Sequence, residues 1–389
     1  MTDSPRRRGI AGSLTGLAVI VATLVSACGP STAPARMIIA ASATANEPDP
    51  VLSPAILQML RSAGTGSSNA TAYVVAPDSG QATVISLTPR RSDGQVDFGP
   101  TRDQVLDANL AAVQRAVQDE AAQGPFDLLS SMAAAARVAP PPATLIVVSS
   151  GLSTAGGFDM RQVGWDASPR AVAAMLKAAG LLPDLAGYHV VFSGLADTAG
   201  RQPALPLPQR TTLISYWLAI CAATGAASCA TDEQTRSDPP SRSTTAVPVV
   251  AVPAVHSVRG PGGTTTTSLP DALLFPFDSA TLLPSADSVL QPLVEQARRH
   301  QLRVSVAGYA SPDGGSAGYN LALSRRRAEA VSARLQALGL PAVQIISVTG
   351  LGTAGESPNA CVAGGRLDEA VCAQMRRVVV VLSPAAANP

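Results

Sequence analysis

The chain has 389 residues, a formal net charge of +1, and 46% hydrophobic residues of which few are aromatic, these making up 3% of the chain. The length exceeds one ordinary domain and predicts two folded units with accessory segments. Their cores must be packed from Val, Leu, Ile and Ala, and so little ring surface speaks against a function built on aromatic stacking. A near-neutral chain has no field for gripping nucleic acid, because its basic residues are dispersed apart from Arg6–Arg8 and Arg325–Arg327. Lys177 is the sole lysine, and with abundant Arg, Ala, Gly and Pro this points to a GC-rich bacterial genome.

The first 28 residues, MTDSPRRRGIAGSLTGLAVIVATLVSAC, carry three arginines, an apolar run from Leu14 to Val25 and small residues before Cys28. That order reads as an export signal over residues 1–27. Val25-Ser26-Ala27-Cys28 resembles the bacterial lipobox. The resemblance implies that the Cys28 thiol is acylated (diacylglycerol, palmitate) and becomes the mature N-terminus. An uncleaved transmembrane helix with an incidental cysteine is the alternative, but the run is short for a bilayer core that takes ~20 residues. Residues 28–36 then form the lipidated end and a short tether, and multiple acyl chains at ~0.8 kcal/mol per buried CH₂ anchor stably.

With Cys28 assigned to lipid, Cys221, Cys229, Cys361 and Cys372 remain, an even number in two local pairs. Disulfides suit an extracytoplasmic compartment, with free buried thiols the alternative. Neither pair has metal-ligand spacing and the three histidines lie far away in sequence, so no metal is expected.

From Met37 to Val255 apolar strands alternate with helical patterns. MIIAAS is a buried strand, SPAILQMLRSAG a helix opened by Ser53 and Pro54, and TAYVVAPDSGQATVISLTP a hairpin turning at Asp78-Ser79-Gly80. Helices follow over Thr101–Gln123 and DLLSSMAAAARV. Next come TLIVVSSG (strand), SPRAVAAMLKAAG (helix), YHVVFSG (strand), TTLISYWLAICAATG (helix) and VPVVAV (strand). This order predicts a mostly parallel, doubly wound α/β sheet covered on both faces. It resembles a von Willebrand type A domain. That family holds a divalent ion with Asp-x-Ser-x-Ser after the first strand and a second Asp after the fourth. Here those places read Ala41-Ser42-Ala43-Thr44-Ala45 and Ser149-Ser150-Gly151. Without carboxylates a hard cation is not offset for its lost hydration, so the metal site is expected to be lost. Ser42, Thr44, Asn46, Glu47, Ser149, Ser150, Ser193 and Asp197 gather at the strand ends, where ligands of open sheets bind. Turn formation and capping is the competing role for them. No nucleophile elbow, phosphate loop or nucleophile–histidine pair accompanies them.

HSVRGPGGTTTTSLP, residues 256–270, is rich in Gly, Pro and Thr without apolar period and is expected to be a flexible linker. Residues 271–384 then read as a smaller α+β unit: strand DALLFPF, helix SADSVLQPLVEQARRH, strand LRVSVAG, the loop and helix GYASPDGGSAGYNLALSRRRAEAV, strand IISVTGLG and strand RRVVVVL, with 385–389 a tail. These motifs resemble the OmpA-like C-terminal domain. FPFDSATLLPSA matches its opening segment, Asn320-x-x-Leu323-Ser324-x-x-Arg327-Ala328 its helix signature, Gly350-Leu351-Gly352 its third-strand turn, and Arg376-Arg377-Val378 its last strand. The fold implied is βαβαββ.

Helical spacing puts Asn320, Ser324 and Arg327 on one stripe, beside an apolar face of Ala328, Val331, Leu335 and Leu338. Side chains lean toward a helix N-terminus, so the Arg327 guanidinium is expected to point toward the loop tip, leaving a notch with a cationic fork on one wall and an acid or hydroxyl on the other. A zwitterionic amino-acid group fits it, carboxylate on the fork and ammonium on the acid. The resemblance implies that this group is the free end of diaminopimelate in the peptidoglycan stem peptide. The family acid falls at Ser311 here, and Asp313 two residues on is the candidate to replace it. Arg325 and Arg326 are expected on a solvated helix face. Cys361 and Cys372 bound a loop where some family members carry a disulfide, worth roughly 3 kcal/mol.

The sequence therefore predicts a lipid-anchored tether with no cofactor and no catalysis. One end sits in a bacterial membrane at its extracytoplasmic face and the other on peptidoglycan, and the middle domain is free for an unidentified envelope protein. The rival readings are an envelope interaction scaffold whose last domain has lost wall binding, and an enzyme at the strand-end loops.

Overall fold

The computed structural model describes residues 34–76, 79–124, 126–232, 240–276, 278–312, 315–357, 360–363, 366–367 and 369–385. The leader, Cys28 and Asp313 lie outside them. Among the described residues no helix is long and apolar enough to cross a membrane.

The first unit runs β1 (Ala35–Ala41), α1 (Pro54–Gly66), β2 (Ala70–Val75), β3 (Ala82–Ser86), α2 (Arg102–Glu120), α3 (Leu128–Ala136), β4 (Ala143–Val148), α4 (Met160–Val163), α5 (Pro169–Ala178), β5 (Tyr188–Ser193), α6 (Leu207–Ala223) and β6 (Ser228–Asp232). Its sheet has the order β3-β2-β1-β4-β5-β6, all parallel except the antiparallel edge strand β3. Successive residues of the central strands feed opposite cores. Ile38 and Val147 pack with α3, α5 and α6, while Ile39 and Val148 pack with α1 and α2. That two-sided burial is why these strands read as unbroken apolar runs. The scarce aromatics concentrate in one core, where Phe158 meets Trp217 edge-on at 4.9 Å and Tyr216 at 5.8 Å. Helix starts follow the sequence signals: the Ser53 side chain accepts from the Ile56 amide ahead of Pro54, and Asp127 caps α3.

The second unit contains β7 (His256–Arg259), β8 (Thr265–Pro270), α7 (Asp287–Arg299), β9 (Arg303–Gly308), α8 (Ala317–Ala337), β10 (Ile345–Gly350), the two-residue strands β11 (Val362–Ala363) and β12 (Arg366–Leu367), α9 (Glu369–Met375) and β13 (Arg377–Ser383). The main sheet has the order β10-β9-β13-β8-β7, with β9 and β10 parallel and the other neighbours antiparallel. Helices α7 and α8 cover one face through Leu290, Val294, Val331 and Leu335, packed on Val304, Val306, Val378 and Val380. Both cysteine pairs are disulfides, Cys221–Cys229 and Cys361–Cys372.

Three sequence expectations change. Residues 256–270 are not a linker but the β7–β8 hairpin, in register from His256 opposite Ser268 to Arg259 opposite Thr265. The threonine run is β-branched and well suited to a pleated strand, with Thr267 buried, and Gly260 to Thr264 make the turn. DALLFPF is no strand: Asp271–Leu273 make a 3₁₀ turn and Leu273, Leu274 and Phe275 enter the core, so the unit opens with a hairpin rather than the first strand of βαβαββ. VPVVAV, bracketed by Pro248 and Pro253, joins no ladder. Side chains hold it instead: Asn46 donates to the Val247 and Pro248 carbonyls, and Gln202 exchanges two hydrogen bonds with the Val250 backbone. The sixth strand is SCATD.

The units touch through a buried ion pair between Asp166 and Arg376, a Gln209 Nε2 to Ala272 carbonyl bond of 3.3 Å, and α4 packed on α9. Leu290, on the inner face of α7, is fully buried. Leu290→Ala is expected to cost about 2–5 kcal/mol, seen as a lower denaturant midpoint with unchanged slope; an unmoved midpoint would contradict the packing.

Candidate functional site

Ser316 opens α8 by accepting from the Tyr319 amide, and two glycines let the helix lie across the strand ends. A Cβ on Gly308 would stand 2.1 Å from the Ser324 carbonyl oxygen, and one on Gly350 would stand 2.4 Å from the Arg325 nitrogen. The stripe of Asn320, Ser324 and Arg327 faces inward, and each member clamps a different loop. Asn320 Nδ2 donates to the Ser311 carbonyl at 3.2 Å. Ser324 Oγ accepts from the Gly352 amide at 2.9 Å. Arg327 Nε donates to the Ser279 carbonyl at 2.8 Å, its Nη1 pairs with Asp271, and its guanidinium lies 5.3 Å from the Phe275 ring centre.

The Arg327 side chain is therefore only 3% exposed, at the floor of the notch rather than projecting from a wall. Asp271 is fully enclosed. Loss of hydration pushes its carboxyl up to about 7, against the pull of Arg327. Its Oδ1 has no hydrogen-bond partner among the described residues. Ser311 Oγ accepts from Arg376 Nη1 at 3.1 Å, and Arg376 in turn pairs with Asp166 of the first unit, Nε to Oδ2 at 2.7 Å and Nη2 to Oδ1 at 3.3 Å. The floor of the notch thus holds two arginines and two aspartates drawn from both units. At its mouth Tyr319, 40% exposed, donates to Asp278 Oδ1 at 2.6 Å. That bond, with some burial, raises the phenol above its usual range. Arg325 and Arg326 are exposed, Arg325 pairing with Glu329 one turn on.

Sequence reasoning brought Ser311, Asn320, Ser324 and Arg327 to one place and missed Asp271, Arg376, Asp166 and the Asp278–Tyr319 pair. Asp271 had a signal, an acid heading the apolar run ALLF, because an acid carried into a core must find a cation. Nothing local marks Asp166.

The strand-end residues of the first unit also converge, but on one another. Glu47 is buried, and its carboxylate accepts from the hydroxyls of Ser42, Ser149 and Ser150 and from the amides of Thr44 and Ser150, at 2.6–3.1 Å. Asp197 faces Arg210, and Ser193 donates to Asp232. The two cavities there hold about 10 and 20 Å³. Among the described residues no cluster of His, Cys, Asp and Glu could hold a metal ion.

Residues 274–360, which include Ser311, Asn320, Ser324 and Arg327 but not Asp166, Asp271 or Arg376, match the OmpA family. No curated protein matches the chain. Solved structures similar to its C-terminal third include the peptidoglycan-associated lipoprotein from Burkholderia pseudomallei, at 33% identity over 28% of this chain and 88% of that one, TM-score 0.24. Others are the OmpA-like domain of FopA1 from Francisella tularensis, at 25% over 35% and 84%, TM-score 0.26, and the cell wall anchor of the T6SS from Pseudomonas aeruginosa, at 22% over 34% and 88%, TM-score 0.28.

Two outcomes follow from these geometries. Glu47→Ala strands several buried donors and is expected to destabilise the first unit by about 3 kcal/mol or more; a melting curve like that of the wild type would contradict the network. Asp271 binds a proton in the folded chain up to about 7 and in the unfolded chain only up to 3.8, so its contribution to stability is lost as pH rises through that window. Asp271→Asn should flatten the fall in denaturant midpoint between about pH 4 and pH 7, as a pH series would show; an unaltered slope would contradict the assignment.

Proposed function

From the premise that residues 274–360 form an OmpA-like domain, we propose that the chain is a lipid-anchored tether of the bacterial cell envelope whose C-terminal unit grips peptidoglycan non-covalently at diaminopimelate. The observation that carries this reading is the family match over the segment that supplies Ser311, Asn320, Ser324 and Arg327. Arg327, oriented by Ser279 and Phe275, holds the ligand carboxylate, Ser311 stands beside the notch, and Asp313, outside the described residues, is the acid the sequence offers for the ammonium. Asn320 and Ser324 act by fixing the two loops between which the ligand sits. Asp278, exposed at the mouth, adds an acid for the ammonium. Cys28 carries the acyl chains.

The first unit is a von Willebrand A-like domain without its cation. The strand order with an antiparallel third strand supports the likeness. The Glu47 carboxylate inside the hydroxyl cluster supports the loss of the ion, since its negative charge is satisfied by protein donors. An unidentified envelope protein is its partner.

A scaffold that has given up wall binding is the second reading, favoured by the near-complete burial of Arg327 and Ser311. Co-sedimentation of the chain from residue 29 onward with purified sacculi separates the two. Saturable binding is expected, about tenfold weaker for Arg327→Lys, which keeps the charge and loses the two-pronged contact, and unchanged for the solvated control Arg326→Gln. Sacculi amidated at the diaminopimelate carboxylate should also bind more weakly. Equal binding of free and amidated walls would sink the Arg327 assignment, and no binding at all would select the scaffold.

A further inference from the structure

Where the two units face each other they enclose a cavity of about 700 Å³, within the 300–1,000 Å³ of ligand pockets. It shares Asp166 and Arg376 with the floor of the notch, but Arg327, Asn320 and Ser324 take no part in its lining. One wall is the extended run 249–254 together with Met160 and Trp165, and the other is the outer face of the second sheet at Ser268 and Pro270 with Ala373 of α9. The Trp165 indole is pinned, its Nε1 donating to the Ala251 carbonyl at 2.6 Å, so it offers the cleft an apolar ring and no donor.

The lining carries Arg161, Arg376, Arg377 and His256 with one acid, Asp166; Arg376 is paired with Asp166 and Arg161 with Asp159 behind it, so one positive charge is left in excess. Arg161 and Arg377 are held ready on opposite sides of the cleft. Asp159 and the Thr154 carbonyl fix Nε and Nη2 of Arg161, whose side chain is still 42% exposed. The Arg377 guanidinium lies 4.4 Å from the Tyr309 ring centre and donates to the Gln374 and Met375 carbonyls. Oriented guanidinium groups beside an apolar wall recognise carboxylate or phosphate.

An extended peptide suits the wall poorly. Pro253 has no N–H, the Val250 backbone is taken by Gln202 and the Ala251 carbonyl by Trp165, so the run presents no continuous ladder. A chain without hydrogen-bonding needs, carrying one negative head, meets both the lining and its charge.

We propose that this cleft binds a linear amphiphile, an alkyl or acyl chain ending in a single carboxylate or phosphate. The cleft shares Asp166 and Arg376 with the notch, but the proposal does not rest on the wall-binding reading and survives its failure. Trp165 reports occupancy, because it lines the cleft whereas the other tryptophan, Trp217, does not. The full chain from residue 29 is titrated with laurate below its micelle concentration, with dodecanol, and with phosphatidylglycerol vesicles. Laurate should bind one-to-one with a change in tryptophan fluorescence, and dodecanol about tenfold more weakly. Arg161→Gln and Arg377→Gln should each weaken laurate by a similar factor. Ala254→Phe, at an exposed position on the wall, should abolish binding while leaving the circular dichroism unaltered. Removal of lipid from the vesicles by the wild type but not by Ala254→Phe would support the proposal with a phospholipid as the source of the anion. Equal affinity for laurate and dodecanol would overturn it, as would undiminished binding in Ala254→Phe or no binding of any of the three probes. Saturable binding of a synthetic apolar peptide bearing two glutamates, in place of laurate, would give the cleft to a protein partner instead.

Discussion

A guanidinium removed from water has to be met by oxygen atoms on every side that matters, and Arg327 organises the C-terminal unit through the way this is done. Its three contacts reach the Ser279 carbonyl, the Asp271 carboxylate and the Phe275 ring, all in the segment that leads from the hairpin into α7. Removing one partner of such a buried pair typically costs about 3–5 kcal/mol. With Asn320 and Ser324 on the same stripe holding the other two loops, one face of α8 fixes the whole rim of the notch. At Asp271 burial outweighs the attraction to Arg327 and lifts the carboxyl to about 7, so near neutral pH the arginine faces a carboxyl that is only partly ionised. An incoming carboxylate then meets residual positive charge.

The first unit solves a related problem with the opposite sign. Hydroxyls and amides converge at the ends of β1 and β4, a place suited to a cation with acidic ligands. Here the acid is a single buried glutamate that draws those donors onto itself. A hydrogen-bonded carboxylate needs no metal, and the space left is too small for a ligand of any size. Open volume lies instead at the junction of the two units. There Asp166 reaches Arg376 and through it Ser311, so the middle of the chain is in electrostatic contact with the loop that carries the wall-binding reading.

Much of this was legible from residue order. The helices opened by Ser53-Pro54 and Ser168-Pro169, the antiparallel hairpin of the first sheet and the α8 stripe follow from caps and periodicity, which act over a few residues. The Thr-rich hairpin was misread because Gly-Pro-Gly-Gly next to threonines has a linker's composition, whereas the β-branched side chains and the pairing with β13 decide its structure. VPVVAV failed in the converse way. Its apolar content suits a strand, but the prolines and the side-chain partners Asn46 and Gln202, distant in sequence, hold it outside the ladder. In the notch the spacing gathered Asn320, Ser324 and Arg327 but aimed the guanidinium at the loop tip as one wall, where the structure sets it in the floor. Its burial depends on Asp271, a partner 56 positions away that periodicity along α8 cannot reveal.

The most direct measurement is an amide-resolved NMR titration of the chain from residue 29 onward with a stem tripeptide ending in free diaminopimelate. The account predicts saturable shifts confined to the notch: the segments 278–283, 308–312 and 315–316, Tyr319, and the Arg327 side-chain Nε–H. Absence of any shift at these positions, with the peptide in large excess, would contradict it, as would shifts that fall only among residues of the first unit.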